Sequence, residues 1–416
     1  MKIIKWFVPG LRIKRWVILL LVGLLLILLS SPYVFKEENI ILKVIHTISF
    51  TVGVVALIGG ISNLIRSLFD AIYPGKSKEL IDIIYEKRFL AKGPKIVAIG
   101  GGTGLSTILE GLKEYTSNIT AIVTVADEGG SSGRLREEFG ILPPGDIRNC
   151  LVSLAEAPQL MRDLFQYRFE GGDGIKGHSF GNLFITAMTQ ITGSFQDAVK
   201  ESSIVLAIRG RVIPSSLSKI QLKAEYYDGT QKIGEDKIPE EEKSISKICL
   251  IPSDAKSNPE AVEAIREAEI IILGPGSLFT SVLPNLLMKQ IQEGIAKREV
   301  MKLYICNVMT QHGETDGFTA SDHLKMLLDH AGEGIVNCCL ISSGRLKYRL
   351  LVKYAQERSF PVIFDRERIK NMGISVFEAD VVSKSNYLRH DPSKVAKEII
   401  NIYNHNKKEW PELRNK

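Results

Sequence analysis

Thiol chemistry has little to work with in this chain. Its five cysteines (Cys150, Cys249, Cys306, Cys338 and Cys339) form no C-x-x-C pair, are odd in number and lie in apolar runs. That pattern excludes a disulfide framework, argues against zinc and suits reduced core thiols in a cytosolic body. No second histidine stands at a metal-pairing spacing from His178. Charge of one sign is also sparse: a net +6 is small for 416 residues. Much of that excess sits in Lys2, Lys5, Arg12, Lys14 and Arg15, with no acid among them. The remainder is nearly balanced, which excludes nucleic acid as an implied partner. Internal repeats, a P-loop lysine, a serine–histidine–acid order and an evident pair of acid–base carboxylates are all missing. No catalytic residue and no metal ligand is assigned.

Long hydrophobic runs, by contrast, are present. Trp16 to Phe35 carries no charge and matches the roughly 20 residues a helix needs to cross the hydrocarbon core. After Lys36, Glu37, Glu38 and Asn39, a second apolar span runs from Val44 to Ile65. A signal peptide fits poorly, because the first run is long, lacks a small-x-small cleavage site and leads into another. With the basic N-terminus held inside, the hairpin returns the chain to the cytoplasm. The expectation is a two-span anchor over 1–69 in the inner cell membrane. A juxtamembrane amphipathic linker follows over 70–93, then a cytoplasmic domain over 94–416, opened by Gly93-Pro94.

Beyond that boundary strands and helices alternate. Strand-like runs cover 95–100, 119–126, 247–252, 269–274, 301–308, 335–342 and 361–365. Helical spacing covers 105–115, 147–156, 181–191, 195–207, 259–268, 319–331 and 347–357. The fold expected is α/β, a Rossmann-like, doubly wound, mainly parallel sheet. Residues 219–234 alternate around Asp228-Gly229 and predict a small β-hairpin excursion.

Two strand ends break into glycine. Ile96 to Ile99 runs into Gly100, Gly101, Gly102, Thr103 and Gly104, and Ile270 to Leu273 runs into Gly274, Pro275, Gly276 and Ser277. Strand, glycine loop and helix N-terminus together make a phosphate cradle, and two such loops flank a crevice at a sheet's carboxyl edge. The dinucleotide fingerprint fits poorly, since its third glycine falls on Leu105 or Thr107. NAD is therefore not singled out. Asp127 ends the next strand, where a carboxylate can hold a metal, bond a ribose or cap a turn. Arg134, Arg136 and Arg148 offer forks suited to phosphate, Arg136 the least of them. Asn149 stands where its amide can read a base or sugar. His178, Ser179 and Asn182 open a helix, with Ser179 as a cap. Asn307, Thr310, Gln311, Glu314 and Asp316 follow another strand end, and Lys353, Tyr354, Arg389 and His390 lie near the C-terminus.

The blocks GGGTGL, TVADEGGSSGRLR, PPGDIRN, GHSFGN, GPGSLFTSVLPNLL and CNVMTQHGETDGFTASDHL occur in this order between about Pro94 and His390. Together they resemble the gluconeogenesis-factor (YvcK-like) family, a branch of the superfamily that includes the phospholactate transferase CofD. The resemblance implies a regulatory protein that binds a UDP-sugar, UDP-N-acetylglucosamine or UDP-glucose, without a required cofactor. It implies a role in cell shape and wall synthesis on gluconeogenic carbon, and raises Tyr354 and Arg389 to nucleotide-sugar contacts. A cell-envelope or regulatory protein partner and a homo-oligomer stay open. So does a metal-dependent transferase using Asp127, magnesium and an activated nucleotide. A dinucleotide oxidoreductase is the third and weakest reading.

Overall fold

The computed structural model describes residues 13–36, 38–72, 89–383 and 387–407. The chain divides into two units, Met1–Lys87 and Arg88–Lys416. In the first, helices α1 (Ile13–Lys36) and α2 (Ile40–Ile72) form an antiparallel hairpin. Gly23 and Gly53 let the backbones touch: a Cβ on either would come within 2.9 Å of the other's carbonyl oxygen. Small residues at a helix crossing are the usual device for such close approach. Tyr33 stacks on His46 near the turn. The outward faces are apolar, with Leu21, Leu28, Ile48 and Val55 exposed. Both helices are long and apolar enough to cross a membrane. The juxtamembrane helix expected over 70–93 falls largely on 73–88, outside the described residues.

Among the described residues the second unit has ten strands. In chain order they are β1 (Ile96–Gly100), β2 (Ile119–Val123), β3 (Arg211–Pro214), β4 (Gln221–Tyr226) and β5 (Gln231–Ile233). Then follow β6 (Ile245–Ile251), β7 (Ile270–Leu273), β8 (Met301–Ile305), β9 (Cys338–Ser342) and β10 (Ser375–Ala379). Seven form one sheet in the order β10-β9-β8-β7-β1-β2-β3. All its pairings are parallel. Its central strands β1, β2, β7 and β8 are buried at every position, which is why they read as unbroken apolar runs. The order reverses at β1, and Ile96 pairs with Ile119 of β2 on one side and with Ile270 of β7 on the other. That reversal leaves a crevice outside the carboxyl ends of β1 and β7.

The α/β expectation stands, with four corrections. Run 247–252 is β6, which pairs antiparallel with β4 in a three-stranded sheet ordered β5-β4-β6. Its buried and open positions alternate through Ile248 and Leu250, the mark of a one-sided sheet. Run 361–365 makes only isolated bridges, through Pro361 to Met309 and Ile363 to Thr319. Its Ile363 is exposed, so no neighbour strand covers it. The edge strands β3 and β10 were not foreseen. β3 ends on Pro214, and β10 is only half-buried. Edge strands tolerate both.

Five helices position the site. They are α3 (Gly102–Leu112), α4 (Gly130–Phe139) and α5 (Gly145–Leu154), with α6 (Gln159–Gln166) and α7 (Phe180–Thr192) beyond them. Ser179 caps α7 by accepting from the Asn182 N–H, as its sequence position suggests. The other helices are α8 (Phe195–Val205), α9 (Pro259–Glu267), α10 (Leu283–Leu286), α11 (Lys289–Ala296) and α12 (Ala320–Ala331). The last three are α13 (Tyr348–Gln356), α14 (Arg366–Asn371) and α15 (Pro392–Asn406). All five cysteines are free thiols.

Candidate functional site

The two glycine loops meet at the crevice. Gly102 opens α3 in the left-handed region at φ +63°, a conformation glycine adopts at no steric cost. Gly101 at the N-cap has no side chain to cap α3, and Asp146 takes the Gly102 N–H, so the donors turned toward a ligand are those of Thr103 and Gly104. Gly104 faces the second loop so closely that a Cβ there would lie on the Pro275 carbonyl oxygen. The second loop is held from beneath. Asn307 accepts from the Gly276 N–H at 3.2 Å and donates to the Gly276 carbonyl at 2.8 Å. Asn285, fully buried, donates to the carbonyls of Gly100 (3.3 Å) and Ser281 (2.8 Å), tying the first loop to the helical turn after the second. Ser277 caps that turn at the Thr280 N–H and donates to the buried Glu314.

Above the loops lies a cleft of about 470 Å³. Its lining includes Thr103, Gly104, Pro275, Gly276, Ser277, Asn307, Thr310, Gln311, Tyr354, Arg389 and His390, all of them singled out in the sequence. Tyr354 packs among Met309, Leu350 and Leu388. Arg389 is exposed and stacks on Tyr387, 5.2 Å from the ring centre. Among the described residues its guanidinium pairs with no carboxylate.

The remaining predicted residues gather elsewhere. Arg148 is buried and donates to Ser179, to Asn182 Oδ1 (3.0 Å) and to Asn149 Oδ1 (2.8 Å). Asn182 donates to Ser131 (3.0 Å), whose hydroxyl meets His178 Nδ1 at 2.9 Å. Arg134 donates to the Lys176 carbonyl. These side chains are committed to one another, bracing α4, α5 and α7 rather than lining the cleft. Arg148 is held down to about 10, by burial and then by the Arg168 charge.

Between this brace and the loops sits a group of carboxyls. Asp127 accepts from the Gly129 N–H at 3.0 Å and from Ser132, while burial pushes its carboxyl up. Asp146 backs the first loop, where a Cβ on Gly101 would collide with it. Burial, and then Asp127, raise Asp146 to about 7. Glu235, brought in by the chain beyond β5, is raised to about 8 by burial and by Asp127, Glu314 and Asp146. Glu314 is raised to about 7 by burial. Asp146 and Glu235 were not singled out in the sequence. Nothing local to Glu235 marks it, because topology brings it there.

The family model described as 2-phospho-L-lactate transferase CofD matches residues 96–382. The chain belongs to the CofD family. Its similar relatives are gluconeogenesis factors. A putative gluconeogenesis factor of Nostoc sp. is 46% identical over 420 residues, 96% of this chain and 92% of that one. The gluconeogenesis factor of Bacillus subtilis is 48% identical over 314 residues, 75% of this chain and 99% of that one. A crystal structure of a UPF0052-family protein from Bacillus halodurans superposes with a TM-score of 0.73 at 50% identity. It covers 74% of this chain and 99% of that one. The gluconeogenesis-factor resemblance read from the six blocks is thereby borne out, and the CofD match begins on the first residue of β1.

The carboxyls give this CofD-family body a pH signature. Asp146, Glu235 and Glu314 have folded values raised above those of an unfolded chain, so the folded body holds extra protons between about pH 4.5 and 8. Stability is therefore lost as pH rises through 7 and 8, at up to about 1.4 kcal/mol per pH unit for each proton held. His390, pushed down to about 4 by burial, works in the opposite direction but only below its ordinary range. The body is expected to melt several degrees lower at pH 8.5 than at 6.5, at roughly 2–4 °C per kcal/mol. Glu235→Gln should flatten the slope. Equal slopes in a differential scan would mean that Glu235 is not the strained carboxyl.

Proposed function

We propose that the cytoplasmic body binds a UDP-sugar, UDP-N-acetylglucosamine or UDP-glucose, in the cleft over β1, β7 and β8 without turning it over. The two N-terminal helices hold that body at the inner membrane. The protein then acts as a regulator of cell shape and wall synthesis during growth on gluconeogenic carbon. One observation carries the ligand reading: two glycine loops, Tyr354 and Arg389 converge on a single cleft. The titratable groups among the described residues lining it are Glu357, His390 and His312, with Tyr354 and Arg389, and His312 is already bonded to Asp316. Backbone donors and a guanidinium suit a diphosphate, and a tyrosine ring suits a base or sugar. Calorimetry with UDP-sugars, GDP and NAD, each with and without magnesium, tests it. Heat of binding from UDP-sugars alone, unaffected by magnesium and with no product formed, is the expected result.

A second reading rests on Asp146, which backs the first loop, and on Asp127, whose charge acts on it. Among the described residues no three carboxylate, imidazole or thiolate groups converge closely enough to hold a metal. Magnesium would rest on those two carboxylates and a ligand's phosphates, an arrangement it accepts. Its chemistry would be charge neutralisation during group transfer. Turnover of a nucleotide substrate only with magnesium would replace the binding reading with this one.

For the anchor, alkaline carbonate should leave the full chain in the membrane pellet. Residues 88–416 alone should appear in the supernatant, folded and able to bind. Release of the full chain would replace the two-span anchor with a peripheral attachment.

A further inference from the structure

His390 lines the cleft beside Arg389 and is 7% exposed. Its ring donates to the Cys306 backbone just beyond β8, while Nε2 is buried with no partner among the described residues. The donating nitrogen is therefore Nδ1, and a neutral ring with its proton there presents Nε2 as an acceptor only. An unsatisfied buried acceptor is costly, and of the described side chains that keep an unpartnered buried atom, His390 is the one that lines the cleft. Phosphate is the wrong ligand for it, because a diphosphate offers more acceptors and no donor. The diphosphate belongs to the glycine loops and Arg389, leaving His390 at the uncharged part of the ligand.

Resting on the UDP-sugar reading, we propose that His390 is a specificity-determining residue. Its Nε2 accepts a hydrogen bond from a neutral N–H or O–H donor of the bound nucleotide, the imide N–H of the base or the ribose 2′-hydroxyl. A site built around a buried acceptor discriminates sharply against a ligand lacking the matching donor, since binding it leaves the acceptor unpaired.

The test compares the full chain in detergent with its His390→Leu and His390→Gln variants. Affinities are measured for UDP-N-acetylglucosamine, UDP, N3-methyl-UDP and 2′-deoxy-UDP. The wild type should bind UDP at least about tenfold more tightly than one of the two altered nucleotides, which names the donor. His390→Leu should lose that preference. His390→Gln, whose amide oxygen sits at about the reach of Nε2, should keep most of it. If His390→Leu does not fold by circular dichroism, the wild-type and Gln series decide. Equal binding of UDP and both altered nucleotides by the wild type overturns the proposal, as does a preference that survives in a folded Leu variant. A wild type that ignores every uridine ligand sinks the UDP-sugar reading itself, a separate outcome.

Discussion

A single methyl group at Gly104 is expected to cost the protein the cleft proposed to hold its ligand. In Gly104→Ala the new Cβ would lie on the carbonyl oxygen of Pro275. The obstacle is backbone, not the tip of a flexible side chain, so the two loops must part. Asn307 grips the second loop at both its N–H and its carbonyl, and Asn285 grips the end of the first. Neither loop can retreat without breaking a buried hydrogen bond. Forced overpacking of this kind costs about 1–3 kcal/mol. Spent on the ligand-ready geometry, that is a loss of roughly tenfold to hundredfold in affinity. Gly294→Ala is the matched control. There the added Cβ meets only the Ile265 side chain at 3.5 Å inside α11, and a helical alanine gains about 0.5–1 kcal/mol. Calorimetry and thermal melts on both variants check the pair. Undiminished UDP-sugar binding by Gly104→Ala would mean that the ligand does not sit on the paired loops.

What could be read in the chain follows from how strongly each residue's surroundings dictate its type. β1 and β7 are buried on both faces, so their sequences had to be apolar runs, and the loops after them had to be glycine to approach each other. Asp228-Gly229 marked the hairpin because the turn needs positive φ at Gly229. β3 and β10 escaped because an edge strand has one neighbour and little burial, which leaves its composition almost free. Residues 361–365 misled for the converse reason: β-branched and aromatic residues favour extended backbone, but this run makes only isolated bridges, to Met309 and Thr319, and joins no sheet. The site divided along the same line. Thr103, Gly104, Gly276, Ser277, Tyr354 and Arg389 belong to compact motifs and do share the cleft. Arg148, Asn149, His178 and Asn182 are equally polar and equally motif-like, yet they satisfy one another. Sequence cannot separate a polar residue that waits for a ligand from one that braces a loop, because both need the same chemistry. Position in the cleft separates them: Arg148 and His323 also keep a buried nitrogen without a partner, but His390 is the one of these that belongs to the cleft lining.

Arg389→Ala is expected to weaken UDP-sugar binding by about 1.5–3 kcal/mol, the range for a hydrogen bond to a charged group, or roughly tenfold to a hundredfold. The guanidinium is poised rather than committed. It rests on the Tyr387 ring, where stacking keeps its planar fork free at the edge. Arg389→Lys should recover only part of the loss, since an ammonium restores the charge without the fork. Asp127→Asn run beside it separates the two functional readings. Asp127 lies outside the cleft lining, accepting from Ser132 and from the Gly129 N–H. An asparagine oxygen can keep the Gly129 bond, so a binding protein should retain most of its UDP-sugar affinity. A magnesium-dependent transferase would lose its turnover instead, because one of the two carboxylates that would carry the metal would be gone. Normal affinity in Arg389→Ala would remove the diphosphate from that end of the cleft. Lost binding in a folded Asp127→Asn would move the ligand toward the carboxyl group, and the transferase reading would then be the better one.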